Sequence, residues 1–288
     1  MRTIRIAATF PLQAFDINDQ FSADGFILGA GQCQNVSALL PGETYGGVLD
    51  DTVDPPLVDD SMDKFGNEYA NDSATQFMNE VFENSANHRF PSYDAGAALE
   101  LAHRDWTFNA VGMNIGENDD GENFNFWGAE VGYHPETSFG AGNYRLIVAG
   151  TSTAFLDPTE TDKEKRLALG LSFDQAFGDV VGGFLRIAWQ SDDAAVDYKA
   201  LYSGGLNFSG NGWGRESDNI GVGYAYLPGG NLDVENSHVF EAYYRAGLNE
   251  YVSLSADIQY MKDDLIEVDP RQDNPSGWIF GLRLTASF

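Results

Sequence analysis

Apolar and polar residues alternate along most of this chain with a period of two, most regularly at its end. In 277–288, Trp278, Phe280, Leu282, Leu284, Ala286 and Phe288 fall on one face, and Gly281, Arg283, Thr285 and Ser287 on the other. Successive side chains of a strand point to opposite faces, and about 9–11 tilted residues cross a bilayer, so length and pattern both predict a membrane-spanning strand. Upstream, Val252, Leu254, Ala256 and Ile258 oppose Ser253, Ser255, Asp257 and Gln259, and Phe240, Ala242 and Tyr244 oppose Glu241, Tyr243 and Arg245. The alternation recurs through 220–226, 202–208, 181–190, 167–174, 143–150, 127–134, 106–110, 95–101 and a first strand near 3–15, giving twelve segments in all. The pattern predicts an all-β, antiparallel transmembrane barrel, with residues 1–288 as its single domain.

A soluble β-sandwich also alternates. Two features favour the membrane. The apolar face often begins or ends on Trp or Tyr, as an interfacial girdle does, and the connections alternate in character. One set, 16–92, 115–123, 152–164, 191–195, 228–236 and 262–276, is long and acidic, with Glu117, Asp119, Asp120 and Glu122 in one member and Asp263, Asp264, Glu267, Asp269 and Asp273 in another. The opposite set includes tight turns at 103–105 and 249–251, although 136–141 and 209–216 are longer. Long loops outside and short turns on the periplasmic side are the pattern of outer-membrane barrels.

Charge narrows the function. The chain carries 44 acidic against 16 basic side chains, a net −28, which excludes a basic nucleic-acid face. No apolar run is long enough for a transmembrane helix, a criterion that does not touch barrels. Aromatic residues at 13% and 32 glycines suit girdles and tight turns. The single cysteine, Cys33, permits no intrachain disulfide. Arg2 and Arg5 precede only a short apolar stretch, so no signal peptide is visible. The expectation is a mature form or a chain lacking N-terminal strands.

Candidate chemistry is sparse. His88, His103, His134 and His238 lie in different segments, so no metal cluster is expected, and no cofactor. Gly210, Gly212 and Gly214 do not open a helix after a strand, so they are not a phosphate loop. No nucleophile with a placed His and Asp is evident, so an enzyme is not expected; a barrel hydrolase and a structural or adhesive barrel are the alternatives to a pore. The alternation places Arg5, Arg145, Arg186, Arg245, Arg283 and Lys199, with Glu100, Glu130, Asp174, Glu241 and Asp257, toward the lumen. These residues either offer donors and acceptors to a solute or pair across strands and stiffen the wall.

The connection 16–92 is too long to be structureless. Within it Asn71-Asp72-Ser73 is positioned to cap a short helix through Thr75, Gln76, Phe77, Met78 and Val81. Such a segment either folds into the lumen and narrows it, with Asn71, Asp72, Thr75, Gln76, Phe77 and Asn79 as constriction candidates, or lies on the surface.

The chain resembles the carbohydrate-selective porins of the OprB type. The resemblance rests on Phe15-Asp16-Ile17-Asn18-Asp19-Gln20-Phe21, Tyr69-Ala70-Asn71-Asp72, Thr75-Gln76-Phe77-Met78-Asn79, Phe90-Pro91-Ser92-Tyr93, Gly142-Asn143-Tyr144-Arg145, Leu171-Ser172-Phe173-Asp174-Gln175 and the ending from Gly277 to Phe288. It implies a barrel of about sixteen strands in the Gram-negative outer membrane, admitting sugars by diffusion. The twelve segments here depart from that number. The implied partners are small sugars as solutes, outer-membrane lipid and lipopolysaccharide, and the assembly machinery, whose recognition signal the terminal Phe288 resembles.

Overall fold

The computed structural model describes residues 6–9, 67–71, 75–83, 96–117, 121–266 and 274–286. Twelve strands lie side by side: β1 (Ile6–Thr9), β2 (Gly96–His103), β3 (Trp106–Glu117), β4 (Asn123–Tyr133), β6 (Gly140–Thr151), β9 (Leu167–Phe177), β10 (Val181–Gln190), β11 (Ala200–Ser209), β12 (Asn219–Pro228), β13 (Val234–Gly247), β14 (Val252–Leu265) and β15 (Ser276–Ala286). From β2 to β15 each pairs antiparallel with its neighbour in chain order, and the first described strand pairs antiparallel with the last, Ile6 opposite Ala286. β1 and β2 end the described path. The twelve predicted strands are all present; only 6–9 of the predicted first strand is described.

Burial runs opposite to that of a soluble sheet. Leu146, Leu185, Leu206 and Leu284 are each 45–46% exposed, whereas Ser172, Arg186, Glu241 and Gln259 are fully buried. Polar groups are hydrogen-bonded on the inside and apolar ones face outward, which minimises free energy only when the outer solvent is hydrocarbon. Aromatic belts mark both ends of the outer face. Trp106 and Tyr133 pack at 4.6 Å near the short turns; Trp189 with Tyr202, and Tyr260 with Trp278 at 5.0 Å, lie near the long connections.

The two suspect turns have local causes. In 134–139 a two-residue strand, β5 (Glu136–Thr137), folds back on the start of β6, and Gln175 caps it by donating to the Gly140 carbonyl. In 210–218 a 3-10 turn is capped by the Ser209 side chain and closed by Gly214 in the left-handed region at φ 76°. Asp218 then gathers Arg215, the Tyr244 hydroxyl and the Gly247 amide. Its hydrogen bond with Arg215 holds the Asp218 carboxyl well below the usual carboxylate range. At the other end, β7 (Phe155–Leu156) and β8 (Lys163–Glu164) form a hairpin. Its tip is built on Asp157, which accepts from the Thr159 hydroxyl and the Thr161 and Asp162 amides. These bonds, the Thr159 hydroxyl first, lower the Asp157 pKa to about 2.

Candidate functional site

The inner wall carries a seat for part of the long connection. Inward positions of β10, β12 and β15 are glycines where the segment arrives. A Cβ on Gly182 would lie 2.2 Å from the Tyr69 ring, one on Gly223 within 2.9 Å of Phe77 and Phe82, and one on Gly281 3.2 Å from Met78 Sδ. Phe77 is the centre of the packing, 4.7 Å from Phe82, 5.6 Å from Phe184 and 5.1 Å from Tyr243 between ring centroids. All four rings are buried.

Charged wall residues bind this segment by its backbone. The Glu241 carboxylate accepts the Met78 amide at 2.5 Å and the Asn79 amide at 2.9 Å. Arg186 donates to the carbonyls of Phe82 and Ala70, and Arg283 to the carbonyl of Gln76 at 2.8 Å. Asn79 donates to Gln259 at 3.0 Å. The bonds from Glu241, Arg186 and Arg283 satisfy main-chain groups that irregular structure leaves unmet, which is what permits non-helical chain inside a membrane protein.

The helix expected from Thr75 is shorter and later than predicted. Among the described residues of this connection only α1 (Glu80–Glu83) is helical, and its cap is Asn79, whose Oδ1 accepts the Val81 amide at 3.1 Å. The Met78 and Asn79 amides are taken by Glu241, so the chain between Thr75 and Asn79 stays in turns and bends. The Asn71 amide binds Gln76 Oε1. Asp72 lies outside the described residues, as do Arg5, Cys33 and Phe288.

Of the predicted lumen set, Arg186, Arg283, Glu241 and Asp174 all touch the segment's main chain. Asp174 accepts the Glu68 amide at 3.1 Å and pairs with Arg145 at 2.9 Å. Asp257 accepts from Gln259. Arg245 reaches the Ser217 carbonyl in the 210–218 turn. Lys199 is not in a strand: it is exposed in the connection after β10, its amide bound to the Pro228 carbonyl. It shares the inward parity of Ser203 and Asn207, but their strand begins only at Ala200. Glu100 stands opposite Asn109 in the ladder, and its side chain lies outside the described residues. Glu130 is buried and accepts from Asn109 at 3.3 Å.

Sequence reasoning missed two groups. The first is Asn67-Glu68-Tyr69. Asn67 is buried, donates to Ser172 Oγ and to the Phe173 carbonyl, and accepts the Tyr69 amide. Glu68 has its pKa raised, first by lost solvation on its wall side, next by the Asp174 carboxylate, with Arg145 opposing. The second is a polar chain across β3, β4 and β6: Thr107 Oγ1 is 2.9 Å from His134 Nε2, and His134 Nδ1 is 2.7 Å from Asn143 Oδ1. Asn143 Nδ2 in turn donates to Asp174. Its Oδ1 is therefore the acceptor, which puts a proton on Nδ1 of His134. The inward glycines were the available signal for the first group. Nothing in the sequence pattern marks the second, because its members lie 27 and 9 residues apart.

An inverted antiparallel sheet with aromatic belts, and an inner wall that seats its own loop, is the architecture of an outer-membrane channel barrel. The comparisons give the family. The carbohydrate-selective porin, OprB family, matches residues 55–288. An uncharacterized protein of Aquifex aeolicus (strain VF5) is 29% identical over 221 residues, 76% of this chain and 59% of that protein. In structure the chain is similar to OprB of Pseudomonas putida, with TM-score 0.57 at 13% identity, covering 73% of this chain and 63% of that one. It is likewise similar to the outer membrane channel DcaP of Acinetobacter baumannii, with TM-score 0.55 at 11% identity, covering 77% and 69%. The chain spans about three fifths of the Aquifex protein and of the Pseudomonas porin. It belongs to the OprB family of carbohydrate-selective porins, β-barrels of the Gram-negative outer membrane.

Proposed function

We propose that this barrel is a passive pore through which small neutral sugars diffuse into the periplasm. The observation that carries this reading is the chemistry of the inner face. Guanidinium, carboxylate, amide, imidazole and hydroxyl groups lie within one hydrogen-bonded surface from Thr107 through Asn143 and Arg145 to Asp174. A neutral sugar crossing a pore exchanges water for wall hydrogen bonds of similar strength, and mixed donors and acceptors supply these without a net charge that selects ions. The segment 67–83 narrows the passage, the acidic outer loops draw cations to the mouth, and Phe288 serves assembly. The family supports the sugar class.

The test is single-channel current in a planar bilayer, with and without D-glucose. Reversible block by glucose at constant salt is expected. An open channel on which millimolar to molar glucose has no effect would remove the sugar assignment and leave a general pore.

One observation favours a second reading. Thr107, His134 and Asn143 stand in the order hydroxyl, imidazole, amide that hydrolases use to activate a nucleophile. Hydrolysis of a short-chain p-nitrophenyl ester that disappears in Thr107→Val would support it; equal background rates in both proteins would remove it.

A further inference from the structure

We propose that Glu68 and Tyr69, held against β9 and β10 and facing Arg145 and Asn143 of β6, form a binding subsite for one neutral pyranose. This rests on the sugar reading above and assigns it a place.

A pyranose has two kinds of surface. Its C–H-rich face stacks on an aromatic ring, and its equatorial hydroxyls take in-plane hydrogen bonds from carboxylates, amides and guanidinium groups. The junction between the inner segment and the wall offers both. The Tyr69 ring lies flat enough on the wall that only glycine fits beneath it, at position 182. The ring is half-buried, so one side is left toward the interior. Beside it Glu68 is exposed and supplies an acceptor. Across from it the Arg145 guanidinium, bound to Asp174 at 2.9 Å, supplies donors. The Arg145 charge reaches Glu68 strongly enough to oppose the rise in its pKa. Asn143, bound to both His134 and Asp174, extends the polar edge.

The subsite is also rigid before any ligand arrives. The Glu68 amide is fixed on Asp174, the Tyr69 amide on Asn67, and the Glu68 carbonyl on Gln76 Nε2 at 2.7 Å. Asn67 is itself anchored to Ser172 and Phe173. One backbone group is thus pinned to the strand wall and two within the segment, which Asn67 ties to β9, and a preordered site spends little of its affinity on ordering itself. A channel needs weak occupancy, and one stacking ring with a few exposed bonds suits millimolar binding.

The test uses the full chain in planar bilayers, with D-glucose as the neutral probe and gluconate as a charged control. Tyr69→Ala is expected to raise the glucose concentration for half-block about tenfold, and Tyr69→Trp to restore it. Glu68→Gln is expected to raise it about threefold, and the Glu68 side chain makes none of the bonds that hold the segment. Tyr69→Ala could also unseat the segment, an event that open-channel conductance would report; Glu68→Gln carries the test independently of that. If wild type is blocked by glucose and both Glu68→Gln and Tyr69→Ala are blocked equally well, the subsite is overturned and the sugar reading stands. If wild type is not blocked at all, the sugar reading fails and the subsite falls with it.

Discussion

The wall from β9 to β15 and the wall from β3 to β6 use the same residue types for opposite purposes. On the first, Arg186, Glu241, Arg283 and Asp174 reach away from the sheet and bind main-chain groups of the segment that lies on it. On the second, Asn109, Glu130, Thr107, His134 and Asn143 bind one another across neighbouring strands. The glycines divide in the same way. Those at 182, 223 and 281 make room for a foreign ring or thioether. Gly132 instead lies beneath a bridge of the wall itself, where a Cβ would come 2.4 Å from Thr107 Oγ1 and 2.6 Å from His134 Nε2. A charge on an inner wall is therefore not by itself a solute contact; its partner decides whether it builds a surface or is one.

The largest effect should come from Arg186. It is fully buried and serves two carbonyls. Hydrogen bonds to charged groups contribute about 1.5–3 kcal/mol, and an unmet buried group costs about 1–3 kcal/mol, so Arg186→Ala should weaken seating of the segment by roughly 3 kcal/mol. Proteolysis of the folded protein would show it as new cleavage within 67–83, with raised single-channel conductance. Unchanged protection would mean that the segment is held by its rings alone.

A paired substitution sharpens the contrast at smaller size. Gly223→Val sets a branched side chain against Phe77 and Phe82 in a filled core and should cost about 1–3 kcal/mol. Gly132→Ala breaks only the half-exposed Thr107–His134 bridge, whose side chains can swing aside, and should cost about 1 kcal/mol. Urea unfolding in detergent gives both values. If Gly132→Ala proved the more damaging, the second wall would be the tighter one.

The smallest effect is that of a carboxylate in water. Asp157 grips two amides as Glu241 does, but in an exposed hairpin tip. Its pKa is lowered to about 2, so it favours the ordered tip above the unfolded pKa of about 3.9, and that contribution is lost as pH falls toward 2. The Thr161 and Asp162 amides should lose protection in that window. Loss already at pH 5 would point to another group.

The strand pattern was legible because a period of two survives every local perturbation when one face meets hydrocarbon. Leu284 and Arg283 are neighbours in sequence and are sorted by nothing else. Register and loop ends were less legible: Lys199 carries the inward parity of β11, but that strand begins only at Ala200. The site was harder still. Phe77 and Asn79 are constriction candidates, with Met78 between them, on a helical reading that the chain does not use, since Glu241, 163 residues from Met78, takes the amides a helix would need. Long-range partners of that kind leave no local trace. The triad of Thr107, His134 and Asn143 depends on the ladder register between three strands, which alternation does not specify.

The seat also dictates an order of events. Residues 67–83 leave the ribosome before any of the wall that receives them, and their partners lie 104 to 207 positions downstream, from Arg186 with Phe82 to Arg283 with Gln76. Closing loops of that length is entropically slow compared with zipping neighbouring hairpins. The sheet from β9 to β15 must therefore exist before the segment has anywhere to dock. The rings of Phe77 and Phe82 find their wall partners only on β10, β12 and β13. Docking then follows the pairing of the strands that receive it, and the late strands act on the early loop as a template does on its copy.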